Sequence, residues 1–340
     1  MAEVLIYVNG GSTAGGDGTT NGTAGATRAY ASMIECEAAE DAKSFAASSN
    51  WPHIMVEAGT YSEKPTFDSA WDTSTTYPLV IEANSSSRNL GVPGDGVIFT
   101  GFANFAALFR VQSHFTIVDG IEFVSSGTST AHGLSLEGTD SIAIRCIGEG
   151  KGANGNGFFS TSTTSSYIFC LGVDGVNGFK TGATDDGRAY NCTSGNNTGV
   201  GFTRAGTTTP PRMRSKNCVS YGATDSYQLA LADYFDTANC EYNATDDTVT
   251  TNVPGTNAIA NIVAGDFTDT STNDWTLASG SALGSAGVDL TTEIATRDLT
   301  GYTIVLNDIT DTAVTNWSIG AFDAVVASGG GNPYYYYAQQ

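Results

Sequence analysis

A chain of 340 residues with 35 Asp+Glu against 14 Lys+Arg carries a formal charge of −21, which argues against nucleic acid or an anionic membrane as its partner. Only 14% of residues are charged and 41 are glycine, the composition of a turn-rich all-β protein, while 40% hydrophobic content with 16 Phe and 15 Tyr argues against disorder. No apolar run approaches the ~18 residues that span a bilayer, and the opening residues have neither the basic region nor the apolar core of a secretory signal.

In chain order, Leu5 to Val8 reads as a first strand, followed by a Gly/Thr/Ser loop from Asn9 to Thr27 without periodicity. Ser32 and Glu35 form a capping box, and Ile34, Ala38, Ala42, Phe45 and Ala46 make one apolar face, so a short α-helix is expected before Ser48. Such a helix would cap the open end of a solenoid, making 1–50 an N-terminal unit of strand, loop and capping helix. Short β-prone runs follow at His53 to Val56, Leu79 to Glu82, Val97 to Phe99, Leu108 to Val111 and Phe115 to Val118.

From Ile142 to Ala244 the sequence repeats. Cys146, Cys170, Cys192, Cys218 and Cys240 are spaced by 24, 22, 26 and 22 residues. A Gly-Phe pair follows the first three, at Gly157-Phe158, Gly178-Phe179 and Gly201-Phe202, with Tyr227 in that slot later and His132-Gly133-Leu134 one repeat earlier. A period of this length, built from short strands and turns, points to a parallel β-helix over 51–262. About nine coils at ~4.8 Å each would make a rod roughly 45 Å long. The five cysteines are expected to stack as one inward, reduced column, because side chains pointing the same way make poor disulfide geometry. Asn191, Asn217 and Asn239 each precede one of them and are expected to form an amide ladder at a turn.

Several segments carry a family resemblance. Ile6-Tyr7-Val8, the glycine-rich loop, the Ala-rich helix and Val56 to Tyr61 resemble the start of right-handed parallel β-helix proteins, the pectate-lyase-like enzymes and phage tailspikes. Phe115 to Phe123 resembles their coil signature, while Asp266 to Gly287 and Ser318 to Asp323 resemble their C-terminal endings. The resemblance implies a right-handed parallel β-helix with 263–326 as its closing segment, and it identifies a fold far better than a function. Beyond it, residues 327–340 read as a glycine linker and a docking tail carrying Tyr334, Tyr335, Tyr336 and Tyr337.

Candidate chemistry is sparse. Lyases of this fold use clustered acids to hold Ca²⁺ and an Arg or Lys base, and Asp174, Asp185, Asp186 and Asp233 with Arg188 are the residues that could serve. A hydrolase would need two carboxylates ~5–9.5 Å apart, drawn from the same aspartates or Glu149. The acids are equally ordinary turn residues. His53, His114 and His132 are dispersed without metal-ligand spacing, so no metal site and no cofactor is expected unless a lyase takes Ca²⁺. Two functions remain. The favoured one is a non-catalytic structural or adhesive virion protein, a phage spike, fibre or capsid decoration. It would be assembled in the host cytoplasm as a homo-oligomer, a trimer by analogy, beside other virion proteins and touching cell-surface polysaccharide. The alternative is an extracellular polysaccharide-degrading lyase or glycoside hydrolase.

Overall fold

The computed structural model describes residues 2–41, 43–101, 106–127, 130–162, 164–182, 186–205, 212–228, 235–248, 253–299, 302–314 and 317–322. The chain winds as a right-handed parallel β-helix whose three sheets form the sides of a triangular prism. The first sheet has eight strands, from Ala2–Val8 to Arg214–Lys216. The second has eight, from Gly59–Tyr61 to Ala244–Thr245, and the third seven, from Thr66–Phe67 to Asp225–Tyr227. Seven coils carry all three strands, rather than about nine, and stack to roughly 34 Å. The excess arose because runs such as Leu108 to Val111 and Phe115 to Val118 are single sides of the prism, not whole coils.

Period-two alternation decides what each sheet buries. In the first sheet Ile6, Ile54, Ile81, Val118, Ala143, Tyr167 and Ala189 lie in register and all face the core. In the third, the Gly-Phe frame read from the sequence is in register too: Leu134, Phe158, Phe179, Phe202 and Tyr227. Phe158, Phe179 and Phe202 stack at 4.9 Å, and Tyr227 follows at 5.0 Å. Glycine precedes phenylalanine because the third sheet runs close to the second, and a Cβ on Gly157 would lie 2.4 Å from the Gly148 carbonyl oxygen.

Four of the five repeat cysteines form the expected column. Cys146, Cys170, Cys192 and Cys218 each precede strands paired in register, and their thiols donate to carbonyls one coil back, as Cys170 does to Ala143 at 3.4 Å. Cys240 does not join them. Ala244 pairs with Val219, so Asn243 takes the fifth position, and Cys240 sits level with Ser215, whose N–H it accepts at 3.4 Å. The same offset displaces Asn239, which bonds Asp236 in a short 3₁₀ turn, while Asn217 and Asn191 do form a rung at 3.2 Å. Equal spacing along the chain thus hid a different division between strand and turn. All six cysteines are free and buried, and burial pushes the thiols of Cys146, Cys170 and Cys192 well up. Alkylation of denatured, unreduced protein should modify all six, and folded protein essentially none; a shortfall in the denatured sample would reveal a disulfide.

The helix Met33–Glu40 caps the N-terminal end, with Ser32 accepting the Glu35 N–H at 3.1 Å. It turns Met33 and Cys36 into the core rather than the expected face, leaving Ile34 46% exposed. The C-terminal segment folds back along the rod. Its hairpin, Phe267–Asp269 with Asp274–Leu277, lays Phe267 and the fully buried Trp275 on the outer face of the second sheet, against Ile147, Leu171 and Val219. Leu290, Ile294, Leu299 and Ile304 then cover Val80, Ile117, Ile142 and Ile168 on the outside of the first. Tyr334 to Tyr337 fall outside the described residues.

Candidate functional site

Two of the prism's outer faces are therefore occupied. No part of 262–322, among the described residues, shares a hydrophobic cluster with the outer face of the third sheet. That face carries, in register, Arg110, Ser135, Phe159, Lys180 and Thr203, of which Ser135 and Thr203 are buried, with Gln228 bonded to Thr203 at its far end. Five steps of ~4.8 Å make the column about 24 Å long.

Arg110 grips Glu137 with two hydrogen bonds of 2.7 Å, and Gln112 and Ser135 add donors at 3.1 Å. Burial opposes the charge on Glu137, but these donors outweigh it and hold its carboxyl below the usual range. Lys180 differs. It is half-buried beside Phe159 and has no hydrogen bond or ion pair with any described residue, and burial alone pulls its pKa down. His132 stacks on Phe159 with ring centroids 4.4 Å apart, and burial together with Lys180 pushes its pKa down to about 4. The face thus offers an aromatic ring, an uncommitted amine and a set of polar groups along the rod axis. An aromatic ring can pack against the C–H face of a sugar while amine and amide groups meet its hydroxyls.

Of the aspartates singled out from the sequence, the two among the described residues, Asp174 and Asp186, do not converge. Asp174 lies in the turn entering the third sheet, in the left-handed region at φ 53°, and accepts from Asn273 at 2.8 Å. Asp186 lies in the turn leaving that sheet, 3.6 Å from both Arg188 and Arg214, which stack in register. The intervening strand Asn177–Thr181 alone spans roughly 16 Å, so Asp174 and Asp186 cannot work as a hydrolytic pair. Asp185 and Asp233 fall outside the described residues. Glu149 is on the second sheet, bridged to Lys151 at 2.6 Å, near a second buried acid, Glu122, which burial pushes up to about 7. Phe159 and Lys180 escaped the sequence reading, although alternation marks them: each directly follows an inward Gly-Phe phenylalanine and so must face outward.

A separate cleft of about 270 Å³, lined by Glu82, Arg88, Arg145, Tyr302 and Asp311 among others, lies where the C-terminal segment meets the first sheet. Its charged groups satisfy one another. Arg88 bonds Glu82 and Asp311, and Arg145 bonds Asp119 and Asp311. His53 extends this clasp to the N-terminal strand, with Nδ1 against Glu3 and Nε2 2.9 Å from Glu82, a geometry that needs both ring nitrogens protonated. Burial disfavours that charge, but the bonds to Glu82 and Glu3 outweigh it and raise the His53 pKa. A raised folded-state pKa gives stability that is complete below the ordinary histidine value of ~6.5 and is lost as pH rises through the folded one. The melting temperature should therefore fall from pH 6 to pH 9 by a component that His53→Gln removes; equal slopes in both proteins would contradict the clasp.

Neither a protein-family model nor a curated protein matches the chain. Among solved structures it is similar to a crystal structure of the pectate lyase Pel9A, with 13% identity over 94% of this chain and 96% of that one and a TM-score of 0.34. It is also similar to a rhamnogalacturonan lyase, at 12% identity over 66% and 69% of the two chains and a TM-score of 0.33. Likeness at this level concerns the fold and is silent on chemistry.

Proposed function

We propose that the chain is a polysaccharide-binding rod that seats an extended glycan along the outer face of its third sheet. The supporting observation is the half-buried Lys180 beside Phe159, without a partner among the described residues, on the face that the described part of the C-terminal segment leaves open. A lone amine held partly out of water is unfavourable unless something offsets the cost, and a glycan oxygen would do so. Two carboxylates of the described face, Glu137 and Asp225, lie four coils or about 19 Å apart along the rod, too far for a hydrolytic pair. Presentation on a virion as a homo-oligomer, or action outside the cell, goes with this reading as a proposal. A stiff rod with one open face suits either setting. Comparing the solution mass of the full chain with one ending at Ala327 tests assembly through the tail.

A second reading has one observation in its favour. An amine whose pKa burial lowers is a better proton acceptor than an ordinary lysine, so Lys180 could initiate eliminative cleavage of a uronate, with Ca²⁺ or an arginine neutralising the sugar carboxylate. One experiment addresses both readings. Polygalacturonate, alginate, dextran and bacterial lipopolysaccharide are incubated with the wild type and with Lys180→Met, then assayed for retention and for unsaturated uronate. Retention without product, weakened about 5-fold or more in the variant, supports the binding rod. Product lost in the variant supports the lyase, and no retention and no product across the panel overturns both.

A further inference from the structure

A single file of hydrogen bonds crosses the open face from the backbone to an imidazole. The Val200 N–H, shared with the Val176 carbonyl at 3.1 Å, also donates to Asn177 Oδ1 at 3.2 Å, and Asn177 Nδ2 donates to Asn156 Oδ1 at 2.6 Å. Asn156 Nδ2 then lies 2.7 Å from His132 Nδ1. A backbone N–H can only donate, so it settles which end of the Asn177 amide is oxygen. Asn177 settles Asn156 in the same way. What reaches the imidazole is therefore an N–H, and His132 Nδ1 must accept it. The neutral ring consequently carries its proton on Nε2. That nitrogen has no hydrogen bond to any described residue, while the ring, 8% exposed, is held flat against Phe159.

We infer that His132 is a fixed hydrogen-bond donor of the glycan face, presenting Nε2–H to an oxygen acceptor of the saccharide, whether hydroxyl, ring oxygen or carboxylate. The inference rests on the glycan-binding reading for its ligand and on the amide relay alone for its tautomer. The ring stacks on Phe159, whose register neighbour is Lys180, so the N–H and the amine meet one sugar unit together. Because the ring stays unprotonated down to about pH 4, the donor is the same throughout the neutral range.

With only three histidines in the chain, nitrogen-15 NMR of the intact protein resolves the tautomer directly. The His132 signals should show an unprotonated Nδ1 and a protonated Nε2 from pH 8 to pH 6. An Nδ1–H tautomer or an imidazolium in that range overturns the relay. Asn156→Asp replaces the terminal donor with an acceptor, so the ring should move its proton to Nδ1 or become charged; an unchanged tautomer also overturns it. His132→Phe keeps the stack on Phe159 and removes the donor. Binding of whichever of polygalacturonate, alginate or dextran the wild type retains should weaken about 3- to 10-fold. Undiminished binding overturns the ligand role. If the wild type retains none of these probes, the glycan reading falls and the ligand role with it, while the tautomer result still stands or falls on the NMR.

Discussion

Replacing Arg145 with Met should destabilise the protein by about 3–5 kcal/mol. The guanidinium is 4% exposed and bonds Asp119, which is fully buried, and Asp311 at 2.6 Å. Without it Asp119 keeps, among the described residues, only the Tyr302 hydroxyl at 3.2 Å and Arg88 at 3.6 Å, and a buried carboxylate left short of partners is costly. Denaturant unfolding measures the loss. Hydrogen exchange should place its first effect in 290–314, because the C-terminal segment is held there through Asp311 and Tyr302. The double variant Arg145→Met with Asp119→Leu should recover much of the loss, since it removes the stranded charge. No recovery would mean that Arg145 acts through packing rather than through its pair.

Phe179→Ala should be of similar size, about 3–5 kcal/mol. Phe179 is fully buried between Phe158 and Phe202, with ring centroids at 4.9 Å on both sides, and Tyr167 meets it edge-on at 5.5 Å. The cavity opens mid-rod, where coils depend on their neighbours for burial, and it lies directly beneath Lys180. Glycan retention should fall together with stability, whereas Phe179→Leu should preserve most of both. Unfolding followed by circular dichroism and retention on the probe glycan would show whether the two move together; a stable but non-binding Phe179→Ala protein would contradict this account of the ladder.

Much of the architecture was legible because parallel coils impose one chemical demand again and again. Gly157-Phe158, Gly178-Phe179 and Gly201-Phe202 recur since each coil needs a close approach and a ring at the same corner, and the observed register follows that frame. Four cysteines were assigned for the same reason. Cys240 was placed in the same column and does not belong to it, because chain spacing cannot distinguish a repeat that keeps its register from one that redistributes residues between strand and turn. The site was less legible. Acids were weighed by type, yet Asp174 and Asp186 occupy turns on opposite sides of one strand, where their bonds to Asn273, Arg188 and Arg214 are structural.

By itself the sequence determined the β-helix, its N-terminal helix and the inward ring column from Phe158 to Tyr227, since periodicity and turn chemistry are local and recur within about 25 residues. Tertiary structure alone decided which outward column stays open among the described residues. Outward residues on the three sheets look alike in sequence: Ile117, Ile147 and Phe159 are all large and apolar. The first two are buried by Leu290, Trp275 and their neighbours, which arrive from more than 120 residues downstream, and Phe159 is not. Long-range covering of this kind leaves no period to read. It is also what turns Lys180 and His132 from ordinary strand residues into the candidates for function.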